Sequence, residues 1–320
     1  MALLSALLLP VAPVRADGVF NLLVENDVWT GTDRHYTSGV MLNYVSEIDK
    51  GPQKLKELGL IFPGITDTDK IHLGLSLGHE IYTPNDILAT ELLEDERPYA
   101  AHAYLAAGFT LEVEDVSIET WRISLGLIGP GAGGEHIQNT LHDAIGVEPA
   151  MGWRYQLKNE AVVSFAYERK WLDLEIEEEF MGLQFDLIPH VSAAVGNLGV
   201  HMSLGGMARI GRGLDHDYGP PRIRPSLPVS QFYNRGEGAS WYLYAGVDAR
   251  WVGRSIFLDG NNFRDSHEVS REPWVGDMQA GVVVNTRHFR LAYTYVIRSK
   301  EFSTQGERDI YGSLSLSTHF

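Results

Sequence analysis

The chain has 320 residues, 42 of them acidic against 26 basic, a formal charge of −16, and no cysteine. Without cysteine there is no disulfide framework, and so acidic a chain disfavours nucleic acid, because a phosphate footprint needs clustered Lys and Arg. No apolar run approaches the roughly 18 residues of a spanning helix, which excludes a helical membrane protein.

Residues 1–16, MALLSALLLPVAPVRA, form a short apolar stretch with small residues near its end. It predicts a signal peptide cleaved after Ala16, the alternative being a buried N-terminal strand or helix. Residues 17–320 are then expected to form one domain, because a barrel of antiparallel strands can absorb that length.

From there period-two alternation recurs, and it predicts strands at 18–27, 36–46, 71–82, 99–111, 116–128, 160–171, 180–192, 197–210, 240–252, 273–285, 288–298 and 309–320. In the ninth, Trp241, Leu243, Ala245, Val247, Ala249 and Trp251 share one face, opposed by Tyr242, Tyr244, Asp248 and Arg250. At about 3.3 Å per residue the two tryptophans stand roughly 33 Å apart. A tilt of about 40° brings that near 25 Å, the height of an outer-membrane apolar band between aromatic girdles. A soluble β-sandwich alternates too, but these strands exceed the usual five or six residues. The expected fold is all-β, a closed twelve-stranded antiparallel transmembrane barrel of the bacterial outer membrane, an even number as closure requires. Residues 211–239, with DYGPPRIRPSLPVS inside, are Pro-rich and irregular.

If both termini are periplasmic, the loops after strands one, three and five share the exterior end. They begin at Asn26 and Asp27, at Tyr82 and at Gly129. The first motif, ENDVWTGTDRHYTSG at 25–39, holds Asn26, Asp27, Thr32, Asp33, Arg34, Tyr36 and Thr37. Asn and Asp after a strand are commonly turn formers. The recurrence of polar groups at the same end of neighbouring strands asks for more.

The third loop, 129–160, is where chemistry-bearing side chains crowd. Gln138 and Asn139 lie three to five residues before His142 and Asp143, and a short helix would set Gln138 and His142 on one face. Asp27 and Glu148 offer hard oxygens of the kind Ca²⁺ takes, and His142 is suited to proton transfer near neutrality. A lone histidine is more often an ordinary surface residue. The chain has no G-x-S-x-G elbow, H-E-x-x-H helix or phosphate-binding loop.

The run at 25–39, DERPYA at 95–100, and GPGAGGEHIQNTLHDAIG followed by GWRYQLKNE at 129–160 resemble the LpxR-type lipid A 3'-O-deacylases of Gram-negative outer membranes. The closing strand, ending in Phe320, also resembles the C-terminal signature of outer-membrane barrels. The resemblance implies Ca²⁺-dependent hydrolysis of the ester bearing the 3'-linked acyloxyacyl group of lipid A in the outer leaflet. It implies His142 as general base on a water and Asp27, with Glu148, as metal ligands. Asn26, Thr37 and Gln138 would orient the base, the metal or the carbonyl. Tyr36, which pairs with Thr37 in the family motif, would contact the substrate together with Arg34 and Arg97. A lysine that some members place after the third strand has no counterpart between Thr83 and Glu94, and Arg34 and Arg97 would take over its contact with the lipopolysaccharide headgroup. Glu96 is an insertion relative to the family's Asp-Arg. The alternatives are a non-catalytic barrel, structural or pore-like, and a phospholipase on the same scaffold.

Overall fold

The computed structural model describes residues 18–31, 34–47, 57, 71–113, 116–172, 175–180, 182–220 and 238–319. The predicted signal peptide at 1–16 lies outside them, as do Thr32, Asp33 and Phe320. The strands are β1 (Gly18–Asn26), β2 (His35–Ser46), β3 (Ile71–Thr83), β4 (Ala100–Val113), β5 (Ser117–Ile128), β6 (Glu160–Trp171), β7 (Glu175–Phe180), β8 (Leu183–Gly196), β9 (Gly199–Arg212), β10 (Ser240–Ser255), β11 (Trp274–Asn285), β12 (Phe289–Arg298) and β13 (Asp309–His319). Helix α1 (Gly134–Ile145) lies between β5 and β6, and the single turn α2 (Ile256–Asp259) follows β10.

Every pairing between these strands is antiparallel, and two long-range pairings close the sheet. β1 meets β13, with Val19 opposite His319, and β6 meets β8, with Ser164 opposite Gly196. β7 pairs with β8 farther along: β6 leaves it at Lys170 opposite His190, and β7 resumes at Glu175 opposite Asp186. β6 and β7 are therefore one stave interrupted at 172–174, and the cylinder has the expected twelve staves. The predicted boundaries shift by at most four residues, β8 running 183–196 rather than 180–192.

Alternation sorts the side chains across the wall in the sense opposite to a water-soluble protein. Leu22, Leu42, Leu75, Leu105, Leu204 and Met278 are exposed on the outside, whereas Glu25, Arg122, Arg209, Asp277, Arg290 and Arg298 are buried within. Such a distribution is the lower-energy one only where the outer solvent is hydrocarbon. Trp241 and Trp251 both face outward, and Trp251 stands opposite Trp274 on β11, forming part of an aromatic band at the exterior end.

The lumen is a packed polar core. Arg298 forks onto Asp277 through two bonds of 2.9 Å, and His190 meets Asp248 at 2.8 Å. Toward the end that holds both termini, Arg209 engages Asp186 and Asp217. Asp217 comes from the irregular stretch after β9: Gly211 and Arg212 finish that strand, residues 214–216 form one turn, and 221–237 lie outside the described residues. Burial alone would raise the Asp217 carboxyl, but Arg290 and Arg209 hold it below the ordinary carboxylate value. At the other mouth α2 pushes Ile256, Phe257 and Leu258 inward, with Phe257 against the Tyr82 ring at 4.2 Å.

Candidate active site on the outer face of the barrel

The connections after β1, β3, β5, β8, β10 and β12 share one end, so the three motif-bearing loops meet there as parity predicts. The longest of them folds back over the wall. Gly133 and Gly146, both left-handed (φ 76° and 75°), begin and end α1, and the Gly146 N–H caps the carbonyls of His142 and Asp143. The buried residues of α1 are Gly134, Gln138 and His142, one stripe at i, i+4 and i+8. Ile137, Leu141 and Ile145 on the adjoining stripe are 38%, 54% and 64% exposed. The helix thus buries two polar side chains while three apolar ones stand exposed beside Glu135, His136, Thr140 and Asp143.

Its seat explains this. On β4 His102 and Tyr104 point inward, so Ala101 and Ala103 face out; on β3 Ile81 faces out by the same rule. Ile81 and Ala101 cluster with Tyr99, Ala132, Ala150 and Trp153 from the loops. A methyl group on Gly134 would stand 2.5 Å from both the Ala101 Cβ and the Trp153 ring, so only glycine lets α1 lie this close. The helix rests on the outside of the barrel, and its apolar stripe faces lipid, where each such side chain gains about 1.5–3 kcal/mol over water.

Two hydrogen bonds fix the polar stripe. The Trp153 indole N–H donates to Gln138 Oε1 at 2.9 Å, which makes Nε2 the free end of the amide. That Nε2 is buried and has no partner among the described residues. His142 Nδ1 lies 2.7 Å from the Glu148 carbonyl oxygen. A carbonyl only accepts, so Nδ1 carries the proton and Nε2 is the basic nitrogen. Asn139 braces the return of the chain, accepting from the Ala150 N–H at 2.8 Å and donating to its carbonyl at 3.4 Å.

The first motif forms the neighbouring rim. Asn26 Oδ1 accepts the Val28 N–H at 2.8 Å, the turn-forming role open to it from sequence. Asp27 is 2% exposed and its Oδ2 accepts the Arg34 N–H at 2.5 Å. Asn26 pairs with Ser38, so Asp27 and Thr37 are the next cross-strand neighbours. A bulge between Tyr36 and Ser38 frees Thr37 from the β3 register, and its hydroxyl meets that of Thr83 at 2.7 Å. Thr83 shares the outward parity of Ile81, which carries the polar row along the outer face toward α1.

The expected headgroup contacts fare differently. The Tyr36 hydroxyl donates to Glu25 at 2.9 Å inside the lumen, and Arg97, 2% exposed, pairs with Glu301 at 3.1 Å and stacks over Tyr82. Both side chains lie within the wall: strand alternation and the bulge turn Tyr36 inward, and Glu301 draws Arg97 after it. Arg34 reaches Asn85 and Glu307 across the exterior rim at 3.1 and 2.7 Å. The inserted Glu96 accepts from the Asn85 N–H at 3.2 Å and faces His35 Nε2 at 3.3 Å, bracing the same rim. Glu148 is exposed, so its carboxylate is open to a cation while its carbonyl holds His142. Among the described residues no three His, Cys, Asp or Glu side chains converge on one metal position. A cation held by Asp27 and Glu148 would need further oxygen ligands, from carbonyls or water.

Sequence reasoning passed over Trp153 and Thr83. The signal for both was available: Thr83 has outward parity on β3, and Trp153 is the one indole in the loop that holds Gln138.

Over residues 1–320 the chain matches the family described as outer membrane protein LpxR. Among solved structures, LpxR from Salmonella typhimurium is similar with a TM-score of 0.79 at 20% identity, covering 94% of this chain and 100% of that one. The β domain of the Bordetella autotransporter BrkA matches at a TM-score of 0.43 and 10% identity, over 95% of this chain and 98% of that one. No curated protein matches by sequence.

Proposed function

The chain belongs to the LpxR family of outer-membrane proteins, and from that premise we propose that it hydrolyses the ester bearing the 3'-linked acyloxyacyl group of lipid A. One observation carries the reading: α1 buries Gln138 and His142 against the outside of the wall and turns Ile137, Leu141 and Ile145 to the membrane. A lipid ester reaches such a site laterally from the outer leaflet, without leaving the bilayer.

His142 is the general base. Its Nδ1–H is held by the Glu148 carbonyl, and Nε2 takes a proton from the attacking water as the water oxygen bonds to the ester carbonyl carbon. Negative charge then gathers on the carbonyl oxygen, and the Gln138 Nε2–H, turned by Trp153, is the donor available to it. On collapse the C–O bond to the sugar breaks, and the proton on His142 passes to the departing 3'-oxygen. Asp27 and Glu148 would hold Ca²⁺, which supplies charge stabilisation at the developing oxyanion. Thr37 steadies that side of the site through Thr83, and Asn26 through its turn. Arg34, at the exterior rim, is the remaining candidate for a headgroup phosphate.

Mass spectrometry of lipid A from cells with and without the intact gene, each with and without a calcium chelator, tests the reading. Loss of one acyloxyacyl unit only in the intact, calcium-replete cells is expected. Unchanged lipid A in all four samples would overturn it, and phospholipid breakdown instead would move the same chemistry to a phospholipase.

A further inference from the structure

Inside the wall, at the exterior mouth and against α2, lies a cavity of about 50 Å³. A single water needs roughly 10–15 Å³ of such space, so the chamber holds a few waters or one small oxyanion. Four arginines line it, Arg97, Arg250, Arg254 and Arg298, against two carboxylates, Glu272 and Glu301.

The pairing is uneven. Arg298 is matched by Asp277 through its two 2.9 Å bonds, and Arg97 reaches Glu301 at 3.1 Å. Arg250 is 8% exposed, yet its one ion pair, to Glu301, spans 3.8 Å, beyond hydrogen-bonding distance. No described residue offers its five N–H groups a closer acceptor. Arg254 donates only to uncharged oxygens, Asn262 Oδ1 at 2.8 Å and the Gly260 carbonyl at 3.2 Å. From β9, His201 also lines the chamber; it is 7% exposed and its Nε2 has no hydrogen-bond partner. The Arg97 Nε is likewise buried and unpartnered.

Arg250 has no acceptor at hydrogen-bonding distance, and the Arg97 Nε and His201 Nε2 are buried without partners; leaving such groups around one chamber is costly unless a ligand supplies the missing partners. We propose that this chamber binds a small tetrahedral oxyanion of the phosphate or sulfate kind, through Arg250, Arg254 and His201. Arg fits this role because its planar fork presents paired N–H groups to two oxygens at once. The bound anion cross-links β9 and β10 at the mouth. The barrel wall separates it from the outer-face site, so it stands independently of the lipid A reading.

The test is calorimetric titration of the full chain in detergent with sodium phosphate and sodium sulfate, against sodium chloride at matched ionic strength. Saturable binding of one phosphate or sulfate, a rise in thermal midpoint, and about tenfold weaker binding in Arg250→Met are expected. His201→Gln, a milder change, should weaken it several-fold, and it keeps the test open if Arg250→Met fails to fold. Binding no stronger than chloride, equal affinity in every folded variant, or an ordered water cluster at this position in crystals grown with phosphate would each overturn the proposal.

Discussion

The indole N–H of Trp153 lies 2.9 Å from Gln138 Oε1, and that bond decides which end of the amide faces the cleft. Trp153→Phe keeps an aromatic ring beside Tyr99 but removes the N–H and lets the amide turn. The expected result is a kcat about tenfold lower with KM within about twofold, since one hydrogen bond acting on the transition state is worth about 1–1.5 kcal/mol. Steady-state deacylation of purified lipopolysaccharide measures both. A change in KM alone would make Trp153 a packing residue only.

The two functions assigned to Glu148 can be separated. Glu148→Gln leaves the carbonyl that holds His142 but removes the carboxylate. We expect about a tenfold rise in the Ca²⁺ concentration giving half-maximal rate, with the calcium-saturated rate little changed, because each charged oxygen adds to Ca²⁺ affinity. His142→Ala should instead lower the saturated rate by about 10²-fold or more. Calcium titrations of both variants decide, and an unaltered calcium dependence in Glu148→Gln removes that side chain from the cation's ligands.

Helix α1 is seated by lipid on one stripe and by the wall on the other. Leu141→Lys places a charge on the lipid stripe, at a cost of up to about 2–4 kcal/mol that depends on depth. Deacylation in bilayers should fall about tenfold or more relative to detergent-dispersed substrate, while the barrel stays folded. Equal losses in the two media would mean that the stripe does not face the membrane.

Glu301 makes the exterior mouth sensitive to acid. Burial on its own would raise its carboxyl, but Arg298, Arg97 and Arg250 outweigh that and hold it below the ordinary value. A carboxyl depressed in the folded state stabilises at pH values above its unfolded pKa of about 4.3, and the contribution drains as pH falls through the lower folded value. Thermal midpoints should therefore hold level above about pH 5 and decline below about pH 4. Glu301→Gln should start lower at neutral pH and decline less steeply. Parallel acid limbs in the two proteins would count against a stabilising role for this carboxylate.

The barrel was legible because its code is short-range: alternation in β10 and β12 is visible in a dozen residues, and strand parity then sends three distant loops to one end. Parity also held the answer to which side of the wall each rim residue takes, but the bulge at Thr37 broke it where it mattered. One extra residue puts Tyr36 inside and Thr37 on the outer row, and no local propensity announces it. The setting of Arg97 was hidden for a different reason: its partner Glu301 is 204 positions away, an ion pair that no local pattern reveals. The helix was anticipated from the spacing of Gln138 and His142. The same spacing held a second stripe, Ile137, Leu141 and Ile145 at i, i+4 and i+8, beside those two polar residues.

Val19 sits opposite His319, so the final rungs of the cylinder join the first described strand to the last. Any incomplete set of staves carries two raw edges with unmet backbone donors and acceptors, an arrangement hydrocarbon does not tolerate. Insertion should accordingly be all or none, slowed by the loop-closure entropy of nearly the whole polypeptide. A circular permutant that joins β13 to β1 through a short turn and opens the chain elsewhere would turn this seam into a local hairpin.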